Sequence, residues 1–332
     1  MWGSSEGRPM HCLKIGAESL VWGESSRSWR GRRSVRCLLS RTPEGAVKLS
    51  PMDQNLTNRT ALEEKLRSLT GSGKRERSAR RVLGADLPRP ITLILPDLAT
   101  RTFILQLEQL PASRDEQEAL LRWRLGQEQR LPMTGARIAW QVFPSRQPGV
   151  ATHTVLIVAI QETILHQYES ACESVGLLPQ EVAVASFRLF DLWLKVSGGR
   201  KSLDKDLVWV TVADGGLTCL MFHGSRPIFV RTKLLTTDQM QRGDDRSREW
   251  VEKIVHETGT SLLSCQERHP EFQAKNFVLV TDCELPNLED ALGEAFDVGI
   301  EQLDWDHVES LGWTHEGGST ALATLPAIAG LV

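Results

Sequence analysis

A short polar turn between two apolar strands is the feature of the sequence best suited to chemistry. Leu207–Ala213 is an apolar, β-branched run of strand length, Asp214-Gly215-Gly216 interrupts it, and a second apolar run continues to His223. Glycine removes the Cβ that would block close approach, so the backbone N–H groups of such a turn can point at a phosphate. The pattern therefore predicts one half of a phosphate-binding cradle.

A weaker copy of this pattern lies near the start of the chain. Cys12–Ile15 precedes Gly16-Ala17-Glu18-Ser19, and Leu20–Trp22 follows. Two such hairpins far apart in one chain are typical of a duplicated fold of the actin and hexokinase type, with nucleotide between two lobes. On motif grounds alone, two ordinary β-hairpins are the commoner explanation. If nucleotide binding is retained, the predicted binding residues are Gly16, Ser19, Asp214, Gly216 and Thr218.

The composition fits a globular protein of about two domains. The chain has 332 residues, of which 41% are hydrophobic and 24% charged. Its six cysteines include no C-x-x-C pair, which indicates a reducing compartment and no structural zinc. No apolar stretch approaches the about 18 residues of a transmembrane helix, and residues 1–9 are expected to be a disordered leader. The sequence has no P-loop, G-x-S-x-G elbow or H-x-x-x-H pair, so no catalytic or metal-binding residue is predicted.

Charge is distributed unevenly along the chain. Residues 1–89 carry 18 Lys and Arg against 9 Asp and Glu, whereas the remainder carries 21 against 33. A basic first quarter could face anionic lipid, an acidic partner or nucleic acid. The densest cluster, Lys74–Arg81, has no interleaved aromatic residue, so a base-stacking surface is not expected and a solvated loop is the simpler interpretation.

Strands and helices alternate, as in a mixed α/β protein. The helical spacing of leucines predicts a helix over Arg114–Leu131, which Pro132 would end. A second helix is predicted over Gln161–Val175, with Gly176 as its stop. The polar, glycine-rich segment Gly198–Ser202 is the clearest domain boundary.

At this point the order of the motifs resembles a known family. Ile91–Pro132 and Val155–Phe187 look like PilM, the actin-like protein of type IV pilus assembly, which is itself similar to the cell-division protein FtsA. The marks are a strand ending in Leu-Pro-Asp, a strand ending in Leu-Pro, a helix that carries Trp123, and a later helix that ends at Gly176. Phe277–Phe296 matches the family's late strand–loop–helix. No single motif is diagnostic, but their order and spacing are specific.

The resemblance implies a two-lobed α/β fold of the actin type, a duplicated ribonuclease H-like fold, with an α/β subdomain inserted in the first lobe. The implied division is a leader at 1–9, a first lobe at 10–98 completed by 180–200, an inserted subdomain at 99–179 and a second lobe at 203–332.

The resemblance also implies a partner. Members of the family bind a short apolar peptide from the cytoplasmic tail of the bitopic membrane protein PilN, in a groove between the first lobe and the inserted subdomain. Here Arg122, Arg124 and Trp140 are the predicted peptide-binding residues. The implied protein is a cytoplasmic scaffold, peripheral to the inner membrane through its partner, that contacts other pilus assembly proteins and not nucleic acid. Self-association stays open.

Three departures from the family pattern bear on nucleotide binding. The family has a Mg²⁺-holding aspartate two residues before Gly16, where this chain has Lys14, and an ammonium would repel a metal. Arg231 follows Asp214 by 17 residues, a shorter interval than the family usually has. Thr281-Asp282-Cys283 replaces consecutive glycines beneath the adenosine, which adds bulk and negative charge. The resemblance therefore implies that ATP and Mg²⁺ bind weakly or not at all and that no cofactor is needed.

Three functions remain open from the sequence. The first is a non-catalytic actin-like scaffold. The second is an active ATPase or sugar-kinase-like enzyme of the same fold, which only Asp214 and Gly216 support. The third is a nucleic-acid-binding protein, which only the basic first quarter supports.

Overall fold

Three β-sheets and eight helices organise the described part of the chain. The computed structural model describes residues 9–29, 31–71, 88–128, 133–144, 153–235 and 244–332. The strands are β1 His11–Ile15, β2 Ser19–Arg27, β3 Arg33–Arg41, β4 Arg89–Leu95, β5 Arg101–Leu107, β6 Ala136–Pro144, β7 His153–Gln161, β8 Leu177–Val184, β9 Leu207–Ala213, β10 Gly216–His223, β11 Arg226–Leu234, β12 Asn276–Thr281, β13 Ile300–Gln302 and β14 Trp313–Gly318. The helices are α1 Arg59–Leu69, α2 Arg114–Glu128, α3 Glu162–Glu173, α4 Ala185–Val196, α5 Asp244–Arg268, α6 Leu288–Phe296, α7 Trp305–Ser310 and α8 Leu325–Leu331.

The first lobe is built on a six-stranded sheet with the order β14-β3-β2-β1-β4-β8. Alternation along β1 decides which face each side chain covers. Leu13 and Ile15 join a core with Leu62 of α1 and Ile164 of α3, while Cys12 joins a different core on the other face. Because β1, β4 and β8 run parallel, the turns that follow them lie at the same end of the sheet, next to the carboxyl ends of these strands.

The second lobe is built on a five-stranded sheet with the order β11-β10-β9-β12-β13. Ile254 of α5 and Leu292 of α6 cover one face of it. Trp209 and Phe222 on the other face enter a core that also contains α4. The rings of Phe190 and Phe222 stack with their centroids 4.7 Å apart. One apolar core therefore joins the two lobes, and the turns after β1 and β9 meet across it.

The inserted subdomain is a three-stranded antiparallel sheet with the order β5-β7-β6. Its own small core contains Leu105, Ile157 and, from α2, Leu121 and Leu125. This sheet is separate from the one that contains β1, as the predicted insertion requires. The helix α3, which the sequence placed at the end of the insertion, packs instead into the first-lobe core.

The end of the chain returns to the first lobe. β14 pairs in parallel with β3, with Trp313 opposite Arg33. The helix α8 packs on β1, β2 and β4, and its Ile328 is fully buried in the core between the lobes. The predicted second lobe at 203–332 did not anticipate this return.

Two predicted features cannot be compared with the structure. The basic cluster Lys74–Arg81 and the Leu131-Pro132 helix stop lie outside the described residues, and α2 is described as far as Glu128. Within the described ranges, no helix combines the length and the apolar character that crossing a bilayer requires.

Candidate functional sites

Lys14 connects the two lobes where the turns after β1 and β9 meet, a region around Lys14, Asp214 and Asp282 that we call the interlobe cleft. It lies on β1, and its side chain is fully buried. Its Nζ is 3.0 Å from Asp214 Oδ2 and 4.0 Å from Asp282 Oδ2, both in the second lobe. The ammonium also donates a hydrogen bond of 3.2 Å to Ser19 Oγ in the first lobe. Burial alone would lower the pKa of Lys14, but the two aspartates outweigh it and raise that pKa, so the link is charged at neutral pH.

The Asp214 carboxylate occupies the space that Gly16 leaves open. Asp214 has a positive φ of 52° in the turn between β9 and β10, and its backbone N–H donates to Asp282 Oδ2 at 2.8 Å. A Cβ on residue 16 would lie 2.1 Å from Asp214 Oδ1, so only glycine fits there. The N–H of Glu18 points at the same oxygen from 3.5 Å. The first-lobe turn thus directs an amide at a carboxylate of the second lobe.

The space beside Gly216 is also filled by a side chain from the opposite lobe. A Cβ on Gly216 would lie 2.8 Å from Cδ1 of Leu98. Leu98 belongs to the short turn that follows β4 in the first lobe. In both turns, therefore, protein side chains occupy the space that the missing Cβ of glycine leaves.

The cleft carries more negative than positive charge. Burial, reinforced by Asp282 and Asp214, raises the pKa of Glu18 to about 7. Burial also raises the pKa of Asp97 to about 6. The pKa of Asp282 is raised by burial although Lys14 opposes the shift. Three of these carboxyl groups, Asp214, Asp282 and Glu18, act on the Lys14 ammonium, and an added anion would be repelled by those that are ionised.

The five predicted nucleotide residues divide into two groups. Gly16, Ser19 and Asp214 meet around Lys14 at the bottom of the cleft. Gly216 lies against Leu98, and the Thr218 hydroxyl is 3.1 Å from the Thr232 hydroxyl. Arg231, the residue after the shortened interval, is bound to α5 through Glu257 at 3.3 Å. Within the described residues, no group of three or more His, Cys, Asp and Glu side chains is arranged to hold a metal ion.

A second concave site lies between the inserted subdomain and the first lobe. It is a cavity of about 360 Å³ walled by β6 and β7 on one side and by β8, α3 and α4 on the other. Most of its wall is apolar; the lining residues on the two sides include Ile138, Ala139, Val158, Ile160, Leu165, Pro179, Val182, Ala183, Val184 and Phe187. We call this cavity the groove.

Two strands with a free edge line the groove. β6 is the last strand of the three-stranded sheet, and β8 is the last strand of the six-stranded sheet. An edge strand presents backbone N–H and C=O groups that can pair with another extended chain. The groove therefore combines apolar walls with backbone groups able to form strand hydrogen bonds.

Two arginines in the groove wall pair with neighbouring carboxylates. Arg188 of α4 is buried and pairs with Glu181 of β8, and its second partner Asp191 lies at 3.8 Å. Arg137 of β6 is exposed and pairs with Glu162 at 3.1 Å. These pairs leave the walls between them apolar.

The three predicted peptide-binding residues lie on the inserted subdomain, and none of them lines the groove. The Arg122 guanidinium donates to the carbonyl oxygens of Ala136 at 2.7 Å and Met133 at 3.3 Å, at the start of β6. Arg124 lies over the ring of its neighbour Trp123. The indole N–H of Trp140 donates to Gln117 at 3.1 Å. Arg122 thus supports a strand of the groove wall from behind.

Two residues of these sites were missed by sequence reasoning. Leu98 was not singled out, because a leucine that follows a Leu-Pro-Asp strand end gives no signal of its role. Arg188 is the only charged residue in the first five positions of its helix, Ala185–Leu189. That isolated charge is the signal that could have found it, because arginine is rarely buried unless it is paired.

Comparison with known proteins supports the fold. No protein-family model matches the chain, and no curated protein sequence matches it. Among solved structures, a PilM–PilN type IV pilus biogenesis complex matches with a TM-score of 0.70 at 16% identity, covering 97% of this chain and 98% of that one. An actin-like ATPase-fold protein of unknown function from Bacteroides thetaiotaomicron matches with a TM-score of 0.44 at 11% identity, covering 93% of this chain and 99% of that one.

The cytoplasmic domain of EpsL, an inner-membrane component of the type II secretion system of Vibrio cholerae, matches with a TM-score of 0.42 at 10% identity, covering 97% of this chain and 94% of that one. The predicted fold class is confirmed: the chain has a two-lobed actin-like fold with an inserted α/β subdomain, and PilM shares this fold over nearly its whole length.

Proposed function

We propose that this chain is a non-catalytic actin-like scaffold of a type IV pilus or related secretion machine. Its groove would hold an extended apolar segment from the cytoplasmic tail of a PilN-like bitopic membrane protein. The observation that carries the proposal is the groove itself, an apolar cavity of about 360 Å³ between two strands with free edges. The structure whose fold it shares is named as a complex of PilM with PilN.

The chemistry of the groove favours an extended peptide over a compact ligand. An added strand gains main-chain hydrogen bonds from β6 or β8, and its alternate side chains enter the apolar wall. Such a scaffold would work in the cytoplasm and reach the inner membrane through its partner. Further pilus assembly proteins would contact other surfaces.

Loss of nucleotide binding is part of the proposal. A magnesium nucleotide needs open space beside Gly16 and Gly216, and the Asp214 carboxylate and the Leu98 side chain fill that space. It also needs carboxylates free to hold the metal, whereas Asp214 already pairs with Lys14 at 3.0 Å. The surrounding carboxyl groups add repulsion toward phosphate. We infer that the phosphate turns hold the lobes together in place of a nucleotide.

Peptide binding to a variant with a filled groove tests the partner assignment. Ala139 lines the groove and is half-buried, so Ala139→Trp would place an indole inside it. We expect isothermal titration with the N-terminal cytoplasmic peptide of the PilN-like protein to give at least tenfold weaker binding, which is about 1.4 kcal/mol. The matched control is Ala321→Trp, because Ala321 is exposed and lies outside the groove.

Two results would contradict the assignment. Equal affinity for the wild type and the Ala139→Trp variant, with the variant folded by circular dichroism, would place the peptide elsewhere. Loss of binding in Ala321→Trp but not in Ala139→Trp would move the site to the first-lobe surface beside β2 and β3, on which the turn after Ala321 packs.

A further inference from the structure

The hairpin that joins β2 to β3 projects beyond the rest of the first-lobe sheet. The last pair between β1 and β2 is His11 with Glu24, whereas β2 and β3 continue to pair as far as Arg27 with Arg33. The N–H of Ser28 donates to the carbonyl oxygen of Arg32 at 2.8 Å and closes the turn. We call the segment Ser25–Arg33 the hairpin tip.

The turn at the apex is locally ordered. The N–H of Gly31 donates to the carbonyl oxygen of Ser28 at 2.9 Å, and Gly31 has a φ of 81° that favours glycine. The Ser28 hydroxyl accepts a further bond of 3.1 Å from the N–H of Arg32. Backbone hydrogen bonds and the Ser28 hydroxyl therefore hold the described residues of the turn before any partner is bound.

The tip is strongly basic. Between Ser25 and Arg33 the sequence has four arginines and no acidic residue. Arg27 and Arg33 lie directly opposite each other, where like charges repel and destabilise a strand pair. Neither Arg27 nor Arg32 pairs with a carboxylate in the described part of the chain. Repulsion among these arginines raises the electrostatic energy of the isolated protein, and a negatively charged surface beside them would lower it.

An exposed aromatic ring lies at the apex. The Trp29 side chain is 87% exposed, and the other large apolar side chain at this end of the sheet, Met10, is 55% exposed. Ser25 binds the Met10 carbonyl oxygen through its backbone N–H at 2.8 Å, which keeps Met10 beside the hairpin. An indole has its favoured position at a membrane–water interface, where its ring meets acyl chains and its N–H meets headgroups.

We propose that the hairpin tip docks on an anionic membrane surface, with Trp29 entering the headgroup layer and Arg27, Arg32 and Arg33 contacting lipid phosphates. Trp29 lies at the apex and the arginines lie behind it on both strands. In this arrangement the indole can enter the headgroup layer while the guanidinium groups stay at the level of the phosphates. Single-stranded nucleic acid would call for several aromatic rings in succession along a groove. The membrane is therefore the occupant that the geometry favours.

The tip lies away from both sites described above. It is beyond the amino end of β1, whereas the Lys14 cluster lies at the carboxyl end of the same strand. The groove is lined by β8, at the opposite edge of the sheet from β14 and β3. Docking at the tip goes beyond the proposed scaffold function and adds a second, electrostatic contact with the membrane. Stable peripheral anchoring commonly needs two such signals.

Co-sedimentation of the full chain with lipid vesicles, without any partner protein, tests the proposal. We expect binding to vesicles of phosphatidylglycerol and phosphatidylcholine at 50 mM salt and none to phosphatidylcholine alone. The double variant Arg27→Ser/Arg32→Ser should lose about fivefold in affinity for each arginine removed. Trp29→Ala should weaken the remaining binding further. Raising the salt to 500 mM should release the wild type, because exposed charges are screened.

The matched control is Arg248→Ser/Arg268→Ser, which removes the same charge from exposed positions on α5. It should bind vesicles like the wild type. All variants are exposed and should keep the wild-type melting temperature, so loss of binding cannot come from unfolding.

Three outcomes would overturn the proposal. The first is no sedimentation of the wild type with anionic vesicles. The second is equal loss in the tip variant and the α5 control, which would indicate a general charge effect. The third is tighter retention on double-stranded DNA than on vesicles at the same salt, dependent on Arg27 and Arg32, which would make the tip a nucleic-acid contact.

Discussion

The interlobe cleft and the groove differ in what fills them. In the cleft, Asp214 and Leu98 occupy the space beside both glycines, and Lys14 neutralises part of the charge. In the groove, a volume of about 360 Å³ stays open between apolar walls. The protein's own side chains therefore fill the space beside the two glycine turns, whereas the groove has room for a ligand.

This difference has an energetic consequence. Each charge in the cleft is tolerated only because its partner is present, so the cleft residues depend on one another. The groove residues pack on separate strands and can be changed one at a time. Deleting a cleft residue should therefore destabilise the fold, whereas filling the groove should affect binding alone.

The largest effect is expected from Lys14→Met. Methionine has a similar length but no charge, so Asp214 and Asp282 would be buried together without a cation. We expect the free energy of unfolding to fall by about 3–5 kcal/mol, which urea denaturation would measure. The double variant Lys14→Met/Asp214→Asn should recover part of that loss, because it removes one of the two buried carboxylates that would lack a cation. If Lys14→Met is as stable as the wild type, the buried link does not hold the lobes together.

A smaller effect is expected where Arg122 supports the groove wall. Arg122 binds two carbonyl oxygens at the start of β6, and Arg124 does not. Hydrogen bonds from a charged donor contribute about 1.5–3 kcal/mol each, and partial exposure reduces this. We expect Arg122→Met to destabilise the chain by about 1–2 kcal/mol and to weaken peptide binding, and Arg124→Met to change neither. Equal effects from the two variants would mean that both arginines contact the peptide directly.

A modest pH dependence should arise from Glu18. Its pKa is about 7 in the folded protein and near 4.5 in an unfolded chain, so the folded state favours the protonated form. Stability from this group is present at low pH and is lost as the pH rises through 7. Between pH 6 and pH 8 we expect a loss of about 1 kcal/mol by linkage, measured by denaturation at each pH. Glu18→Gln should flatten that slope, and a slope unchanged in the variant would assign the effect to another group.

Most strands and helices could be predicted from local periodicity, and the resemblance of their order to a known family implied the fold class. Turn residues and strand-length apolar runs located both hairpins, and the spacing of Leu121 and Leu125 located α2. The return of β14 and α8 to the first lobe was missed because both are short. β14 ends in two glycines and α8 has no polar face, since it is buried on all sides. Local pattern carries little information for an element that tertiary packing alone determines.

The sites were less predictable than the fold. Lys14 was identified as a departure from the family pattern, but not as a link to Asp214, because the two are 200 residues apart in the chain. A peptide-binding groove was expected between the first lobe and the inserted subdomain, and peptide binding there stays a prediction. The lining residues of the cavity found between them depend on how two sheets lie against each other. Arg122 and Trp140 were chosen for their residue types, and the structure gives them supporting contacts instead. Their role in peptide binding stays a prediction.

The smallest expected effect is the most informative about the cleft. We expect millimolar Mg-ATP to leave the melting temperature of the wild type unchanged. A ligand present at 100 times its dissociation constant would add about 2.7 kcal/mol of stability, which a thermal shift would show clearly.

The Lys14→Asp variant sharpens the comparison, because it exchanges the buried ammonium for the carboxylate that the family pattern has. Alone it should be less stable than the wild type, since it adds an acid to an acidic cleft. Mg²⁺ should restore part of that stability if a divalent cation can take the place of the lysine. A clear shift of the wild type with Mg-ATP, abolished by Asp214→Ala, would show instead that the cleft opens to nucleotide.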